Sequence, residues 1–494
     1  MSQRDRNADL TRREFGKASL GATVAALGTA SAAVTLVTSA SAAPAAAPKK
    51  RYAMVGVGHR SYMYQEAIQR QFAEHCELVA CADVNAGRLQ LAQEFAKKAG
   101  RAEPRVYAAN DFERMIAESK AETVIVTTVD GTHHDYISRA MLAGCDVITE
   151  KPMTTEAEKC QLILDTCKKT GKKCRVTFNY RYTPVRSQIK ELLMSGLVGD
   201  VLSVDFQWVL DTRHGADYFR RWHSNKQNSG GLLVHKSTHH FDLVNWWLSA
   251  IPVRVSAIGK REFYTPAMAK RMGLAKPHVR CHTCEEKAKC SFELSLARDA
   301  RLKSLYLDQE KYDGYFRDRC VFRSDIDIED TMNVQVSYDS GATLSYSLNA
   351  FMPWEGYVVS FNGTKGRLEH KVEEAIVLDA SQPRAVKGDG TYLRVYPLRK
   401  AAYEIEPHTG SGGHGGGDPV MLRDLFAPGQ PADKLLRAAD ERSGAYSILT
   451  GVAANRSIAT QRPVDIAELV HGLGYPNYPK MPSRKAPVPM PPKT

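Results

Sequence analysis

Lys151 stands between Glu150 and Pro152 at the end of the apolar run Cys145-Asp-Val-Ile-Thr149. A lysine held at a strand end can hydrogen-bond a substrate hydroxyl and take or return its proton, with Glu150 placed to orient it. The alternative is a solvated surface pair, the usual fate of a lysine. The segment Gly230-Gly-Leu-Leu-Val-His-Lys-Ser-Thr-His-His-Phe-Asp242 adds two more proton-transfer groups, His235 and His239. Being four positions apart, they share one face of a helix and can address one substrate carbon. Imidazole titrates near neutrality, which suits proton transfer. The same spacing also fits two core histidines, or a metal-binding pair that needs further ligands. His240 and Asp242 fall on other faces and are assigned to structure.

A second group of residues is suited to holding a phosphate-bearing cofactor. Gly56-Val-Gly-His-Arg-Ser61 follows the strand-like run Tyr52–Gly56 and opens a helix. Gly56 permits a tight turn and Gly58 lets the backbone approach a pyrophosphate at the helix N-terminus. His59 and Arg60 complete that turn, and Ser61 in place of a third glycine predicts a slightly shifted helix. Asp83 ends the next strand 25 residues after Gly58, where a carboxylate bonds ribose hydroxyls. Its charge repels a 2′-phosphate, and Val84-Asn85 offers no arginine clamp, so NAD is favoured over NADP. Asp83 can also cap the helix beginning at Asn85. Thr128, Asp130 and His133 occupy a loop that faces the same crevice, His133 either lining the cofactor groove or packing beside it.

Such groups converge only if strands deliver them to one sheet edge. From Tyr52 to about Thr177 short β-rich runs alternate with helical periodicity, with strands expected at 52–57, 77–82, 105–107, 122–127, 145–149 and 174–178. The clearest helices are 85–98 and 132–143. This is the pattern of a parallel sheet wrapped by helices, a Rossmann-type domain over residues 50–178. Beyond a helix near 184–195 the pattern changes to strands at 201–210, 331–338, 342–350 and 356–363, separated by turns such as Asp339-Ser-Gly341 and Asn362-Gly363. A mostly antiparallel sheet with one face covered by helices fits this substrate-binding α/β half, residues 179–475. The helix around His240–Leu248 is expected beneath it.

Asp211-Thr-Arg-His-Gly-Ala-Asp-Tyr-Phe-Arg-Arg-Trp-His223 concentrates donors and aromatics in one loop before the glycine pair. Trp222 and Tyr218 offer stacking faces for a sugar ring, or serve the core. Arg213, Arg220 or Arg221 offer contacts to hydroxyls or carboxylates, and Lys236 joins them from beside His235. Gly410–Asp418 reads as a flexible loop before a helix starting near Pro419, and residues 476–494 form a proline-rich tail.

The chain has ten cysteines. Cys81 and Cys174 sit in strand-like runs and read as small core residues. Cys281, Cys284, Cys290 and Cys320 lie in an insert, 278–325, with His278 and His282 close by. That group suits a structural zinc, a pair of disulfides or free thiols, with no catalytic role. At the N-terminus, Thr11-Arg-Arg-Glu-Phe-Gly-Lys17 precedes a small-residue apolar stretch ending at Ala40-Ser-Ala42. This resembles a twin-arginine export signal over residues 1–42, so a periplasmic product beginning near Ala43 is expected, carried by the twin-arginine machinery after folding. The formal net charge is +12, dispersed without the lysine–arginine stripe of a nucleic-acid groove.

Taken in order, Gly56-x-Gly58, Thr128 to His133, Glu150-Lys151-Pro152, Phe178-Asn-Tyr-Arg181, and Gly230-Gly231 leading to His239 and Asp242 resemble the Gfo/Idh/MocA family, the glucose–fructose oxidoreductase type. The resemblance covers essentially all of the chain beyond the signal. It implies a Rossmann domain followed by an α/β domain with an open-faced sheet, NAD or NADP, a sugar, cyclitol or polyol substrate, and a homo-oligomer. By the same resemblance Arg181 and Glu150 join the cofactor side, while Lys151 and His239 take the catalytic positions. The chain departs from the pattern where His235 replaces the usual aspartate and where Val129-Asp130 replaces proline and asparagine. Three functions follow from these residues: an oxidoreductase on a sugar or polyol, an NAD-dependent glycosidase using transient oxidation and elimination, or a silent binding protein. Retention of Lys151 and His239 argues against the third.

Overall fold

The computed structural model describes residues 48–275, 279–376 and 390–493. The segment read as a twin-arginine signal, residues 1–42, and His278 lie outside the described residues. Six strands, β1 (Lys50–Val55), β2 (Cys76–Asp83), β3 (Arg105–Ala108), β4 (Thr123–Val126), β5 (Asp146–Thr149) and β6 (Cys174–Val176), form one sheet. Its order is β3-β2-β1-β4-β5-β6, and every pairing is parallel. β4 is buried along its whole length, as a strand covered on both faces must be. The chain reverses its direction of growth between β1 and β4. A crevice therefore opens at the carboxyl ends of these two strands, where such sheets bind ligands.

Nine further strands make the second sheet: β7 (Val201–Asp211), β8 (Pro252–Lys260), β9 (Thr331–Tyr338), β10 (Thr343–Met352), β11 (Trp354–Gly363), β12 (Gly366–Ile376), β13 (Tyr392–Pro397), β14 (Tyr403–Glu404) and β15 (Val464–Asp465). Their order is β14-β13-β12-β11-β7-β10-β9-β8-β15, antiparallel throughout except for the parallel pair β7–β10. Strand β8 escaped the sequence pattern because its apolar residues lie on both faces: Val255 is buried, whereas Ile258 is exposed. The helix Thr238–Leu248 is buried at every residue, and its indoles find carbonyls: Trp246 Nε1 donates to Leu435 at 2.8 Å and Trp247 Nε1 to Arg186 at 2.9 Å. Among the described residues no helix is long and apolar enough to cross a membrane.

Arg181 and Asp242 meet in this core through two hydrogen bonds of 2.7 and 2.6 Å, both side chains wholly enclosed. Burial raises the Asp242 carboxyl to about 6 against the opposing pull of Arg181. Removing one member of a buried pair strands the other charge, so Arg181→Met is expected to cost about 3–5 kcal/mol of stability. The double change Arg181→Met with Asp242→Leu should recover much of that loss. Urea denaturation of the three variants measures it, and a wild-type midpoint in Arg181→Met would remove the pair's structural role.

Candidate active site

Strand β1 leads directly into the glycine turn. Gly56 adopts φ +84°, and a Cβ there would lie 2.7 Å from the Thr127 backbone, so the close approach of the β1 and β4 ends requires glycine. At Gly58 a Cβ would meet nothing within 4 Å, so the turn faces open space. Across it, the Asp83 carboxylate at the end of β2 accepts from the Val57 N–H at 2.7 Å and the Asn85 N–H at 2.8 Å. Burial raises its pKa, while those two N–H groups and Arg88 oppose the rise. Asp83 does not cap the following helix; Asn85 does, accepting from the Arg88 N–H at 3.0 Å. The Arg88 guanidinium, which the sequence did not mark, stands 3.9 Å from Asp83 and 2.9 Å from Asp313. Thr128 is half-buried nearby and accepts from the Thr132 hydroxyl at 2.9 Å. Open ground before Gly58 and a carboxylate fixed at the β2 end fit a dinucleotide, whose diphosphate the turn would hold and whose ribose Asp83 would bond.

Glu150 does not orient the Lys151 amine. Its Oε1 accepts from Arg60 Nε at 2.6 Å and from Tyr64 Oη at 2.7 Å, which turns the carboxylate back toward the glycine turn. Arg60 is correspondingly committed to Glu150, with Asp418 at 3.9 Å. The group that touches the amine is His235. Lys151 Nζ lies 3.3 Å from both the Nε2 and the carbonyl oxygen of His235, and His235 Nδ1 is bonded to the Asp130 carboxylate. Asp130 thus serves the histidine from a buried position, through one of its two carboxylate oxygens.

The three-residue chain crosses between the domains, and its approach is built from glycine. A Cβ on Gly131 would lie 2.6 Å from the Gln227 carbonyl, so only glycine lets the loop after β4 reach the segment that leads to His235. Gly230 and Gly231, at φ +69° and +75°, then reverse that segment into the short helix Leu232–His235. Burial, followed by the charges of Lys151 and Arg221, lowers His235 far below its usual pKa. A neutral imidazole donating Nδ1–H to Asp130 presents its Nε2 lone pair to Lys151. Burial also lowers Lys151, to about 8, against the raising effects of Asp130 and Glu150. This amine can exist neutral near physiological pH and pass a proton onward.

His239 faces the same region from the start of Thr238–Leu248. It stacks on Tyr180 at 4.0 Å, and its Nδ1 has no hydrogen-bond partner among the described residues. Burial first, then the charges of Lys151 and Lys236, depress its pKa strongly. Lys236 Nζ reaches Tyr180 Oη at 3.3 Å and lies 3.9 Å from Glu355. The segment read as a loop is partly a helix, His214–Arg220. It brings Tyr218 Oη to 3.0 Å from His214 Nε2, while His214 Nδ1 pairs with Glu355 at 2.8 Å. Trp222 stacks on His223 at 3.6 Å, edge-on to His235, and Arg221 pairs with Asp217 at 3.2 Å. His414, on the glycine-rich loop, stands 6.4 Å from His239 and is held to Asp418 at 2.8 Å. The sequence signal for it was a single histidine inside a glycine run with an aspartate four residues on.

Three assignments need correction. Arg181 is no cofactor contact, since its guanidinium is enclosed with Asp242. His133 is buried and bridges the carbonyls of Pro152 at 2.8 Å and Thr128 at 3.2 Å, pinning the Lys151 turn to the loop after β4 rather than lining the groove. The zinc expectation finds no support, because no three or more His, Cys, Asp or Glu among the described residues are arranged to hold a metal. Cys281, Cys284, Cys290 and Cys320 are free thiols, not disulfides, round the wall of one cavity with Phe292 and Phe322. Arg213 is exposed and has no ion pair among the described residues.

A parallel sheet with a glycine turn and Lys151 after one strand, joined to a mostly antiparallel α/β domain whose helices carry His235 and His239, defines an oxidoreductase with a Rossmann NAD-binding domain. The chain belongs to the Gfo/Idh/MocA oxidoreductase family: that family's NAD-binding Rossmann-fold model matches residues 50–178 and its C-terminal alpha/beta-domain model residues 190–466. It is 38% identical to the putative oxidoreductase YteT of Bacillus subtilis over 429 residues, 85% of this chain and 98% of that protein. A glycosyl hydrolase family 109 protein of Shewanella baltica is 26% identical over 248 residues, 46% of this chain and 53% of that protein. In fold it is similar to the WlbA dehydrogenase from Bordetella pertussis in complex with NADH and UDP-GlcNAcA, with TM-score 0.56, 18% identity and coverage of 85% and 99% of the two chains.

Proposed function

We propose that this protein is an exported, NAD-dependent oxidoreductase that interconverts a carbinol and a carbonyl on a sugar or sugar-like polyol. The observation that carries this is the Lys151–His235–Asp130 chain beside His239 at the mouth of the dinucleotide crevice. NAD, when bound, supplies the hydride acceptor. Lys151 accepts the hydroxyl proton and donates toward His235 Nε2, while Asp130 holds the imidazole in the tautomer that can receive that bond. His239 supplies a second contact to the reacting oxygen. Trp222, half-buried, offers an aromatic face to a sugar ring, whereas Tyr218 is buried in the core with its hydroxyl on His214. The resemblance of residues 1–42 to a twin-arginine export signal supports a periplasmic location for the finished enzyme.

A second reading, an NAD-dependent glycosidase, is favoured by the number of imidazoles near the site and by the family 109 relative. Oxidation of a ring hydroxyl acidifies the adjacent C–H; a base removes that proton, the glycosidic oxygen leaves, and water adds before re-reduction. One experiment separates the two readings. Protein purified from periplasm is examined for bound nucleotide by mass spectrometry, then assayed for NADH formation with sugars and polyols and for nitrophenol release from aryl glycosides. Retained NAD with NADH formation is expected for the oxidoreductase, and nitrophenol release without net NADH transfers the assignment to the glycosidase. Retained NADP would overturn the role given to Asp83.

A further inference from the structure

The insert that carries the cysteines extends onto the Rossmann domain beside the ribose position. Leu296, Leu305 and Tyr306 pack with Tyr62 and Leu91. Asn85 Nδ2 donates to the Gln309 carbonyl at 3.1 Å, and Arg88 reaches the Leu305 carbonyl at 3.3 Å and Asp313 at 2.9 Å. The helix Ala86–Lys98 is shaped for this contact: a Cβ on Gly87 would sit 1.8 Å from Gln309 Oε1 and 2.6 Å from the Tyr312 ring. At its far end the insert is tied to the other domain, where Arg317 grips Asp217 through bonds of 2.6 and 2.8 Å.

Between these anchors stands Arg301, exposed, its guanidinium 4.9 Å over the ring of Tyr62 in the first turn after the glycine loop. The charges around it are unbalanced. Arg60 is spent on Glu150, and Arg221 and Arg317 share Asp217, while Arg301 has no carboxylate partner among the described residues. Partial burial and then the charges of Arg301, Arg221, Arg317 and Arg60 push the His59 imidazole down to about 4, so the excess is felt at the glycine turn itself.

We infer that the insert completes the dinucleotide site from the side opposite the sheet, Arg301 meeting the diphosphate above the glycine turn and Leu305–Asp313 walling the adenosine ribose beside Asp83. This rests on the reading that the Rossmann domain holds NAD. A nucleotide so placed is enclosed by two layers, and it leaves only when the insert lifts. The insert thereby retards release of the cofactor between turnovers.

The test is the dissociation rate of NADH from the full-length mature protein, read as loss of bound-NADH fluorescence on dilution into excess NAD. Arg301→Ala removes the charge, and Gly87→Leu drives a side chain into Gln309 and Tyr312. Each is expected to release NADH roughly tenfold faster or more, a change of about 1.4 kcal/mol or greater in holding free energy if association is unchanged. Gly87→Leu should also speed amide hydrogen exchange across residues 300–313. Wild-type release from Arg301→Ala would overturn the proposal, as would unchanged exchange of 300–313 in Gly87→Leu. If Gly87→Leu does not fold, Arg301→Ala, an exposed position, decides alone. A wild-type protein that holds no nucleotide at all would instead defeat the cofactor reading, a separate outcome.

Discussion

Lys151→Ala is expected to turn over its substrate about 10²–10⁴-fold more slowly while retaining its nucleotide, the usual scale for loss of a positioned acid–base group. The amine is half-buried, touches His235 at 3.3 Å and belongs to no ion pair among the described residues, so the change removes a proton carrier without breaking a structural bridge seen there. Its pH dependence has a definite sign. Burial, the largest influence, together with Lys236 and Arg60, brings the amine down to about 8 despite Asp130 and Glu150. Oxidation of a hydroxyl needs the neutral amine, so its rate should rise with pH and level off above about 8. Reduction of the carbonyl needs the ammonium and should decline over the same range. Steady-state rates in both directions from pH 6 to 10, with bound nucleotide quantified in parallel, measure both limbs. A Lys151→Ala enzyme of near wild-type rate would exclude the amine from the proton path.

His239→Ala should lose activity on the same scale of about 10²–10⁴-fold, for a different reason. The imidazole is kept neutral by burial and by two neighbouring ammonium groups, so it acts as a hydrogen-bonding group and not as a fixed cation. It is anchored by its face against Tyr180, with no hydrogen bond at Nδ1 among the described residues. A nitrogen enclosed without a partner is unusual for a histidine that serves the core alone. Because its pKa lies well below 6.5, the residual rate should add no further limb to the pH profile between 6 and 8. Single-turnover rates and thermal midpoints of His239→Ala and His239→Gln discriminate the roles. A stable alanine variant with normal turnover would return this residue to packing.

The parallel sheet was legible because each of its strands is a short apolar run bounded by turn residues and separated by helical periodicity. The glycine turn, the carboxylate at Asp83 and the lysine at the β5 end could likewise be placed, since strand ends fix their positions. What could not be read was where a charged side chain spends its charge. Glu150 is next to Lys151 in sequence, yet its carboxylate reaches Arg60, ninety residues away. Asp130 and His235 are paired across 105 residues, a contact that depends on how two domains meet. Arg181 shared a motif with Tyr180, but opposite directions of the two side chains put one in the core and the other beneath His239. Local pattern reports the backbone path well and the partners of buried ions poorly.

The joint between the domains has a consequence of its own. Lys151 and Asp130 belong to one lobe and His235 to the other, and Gly131 is the narrow point at which they are brought together. The proton path therefore behaves like a contact breaker. A rocking motion of only an ångström or two opens both bonds at once and isolates the amine, even with every residue present and both lobes intact. Substrate that draws the lobes together closes the circuit, whereas a molecule that fits the crevice but fails to draw them together would occupy the enzyme without being turned over.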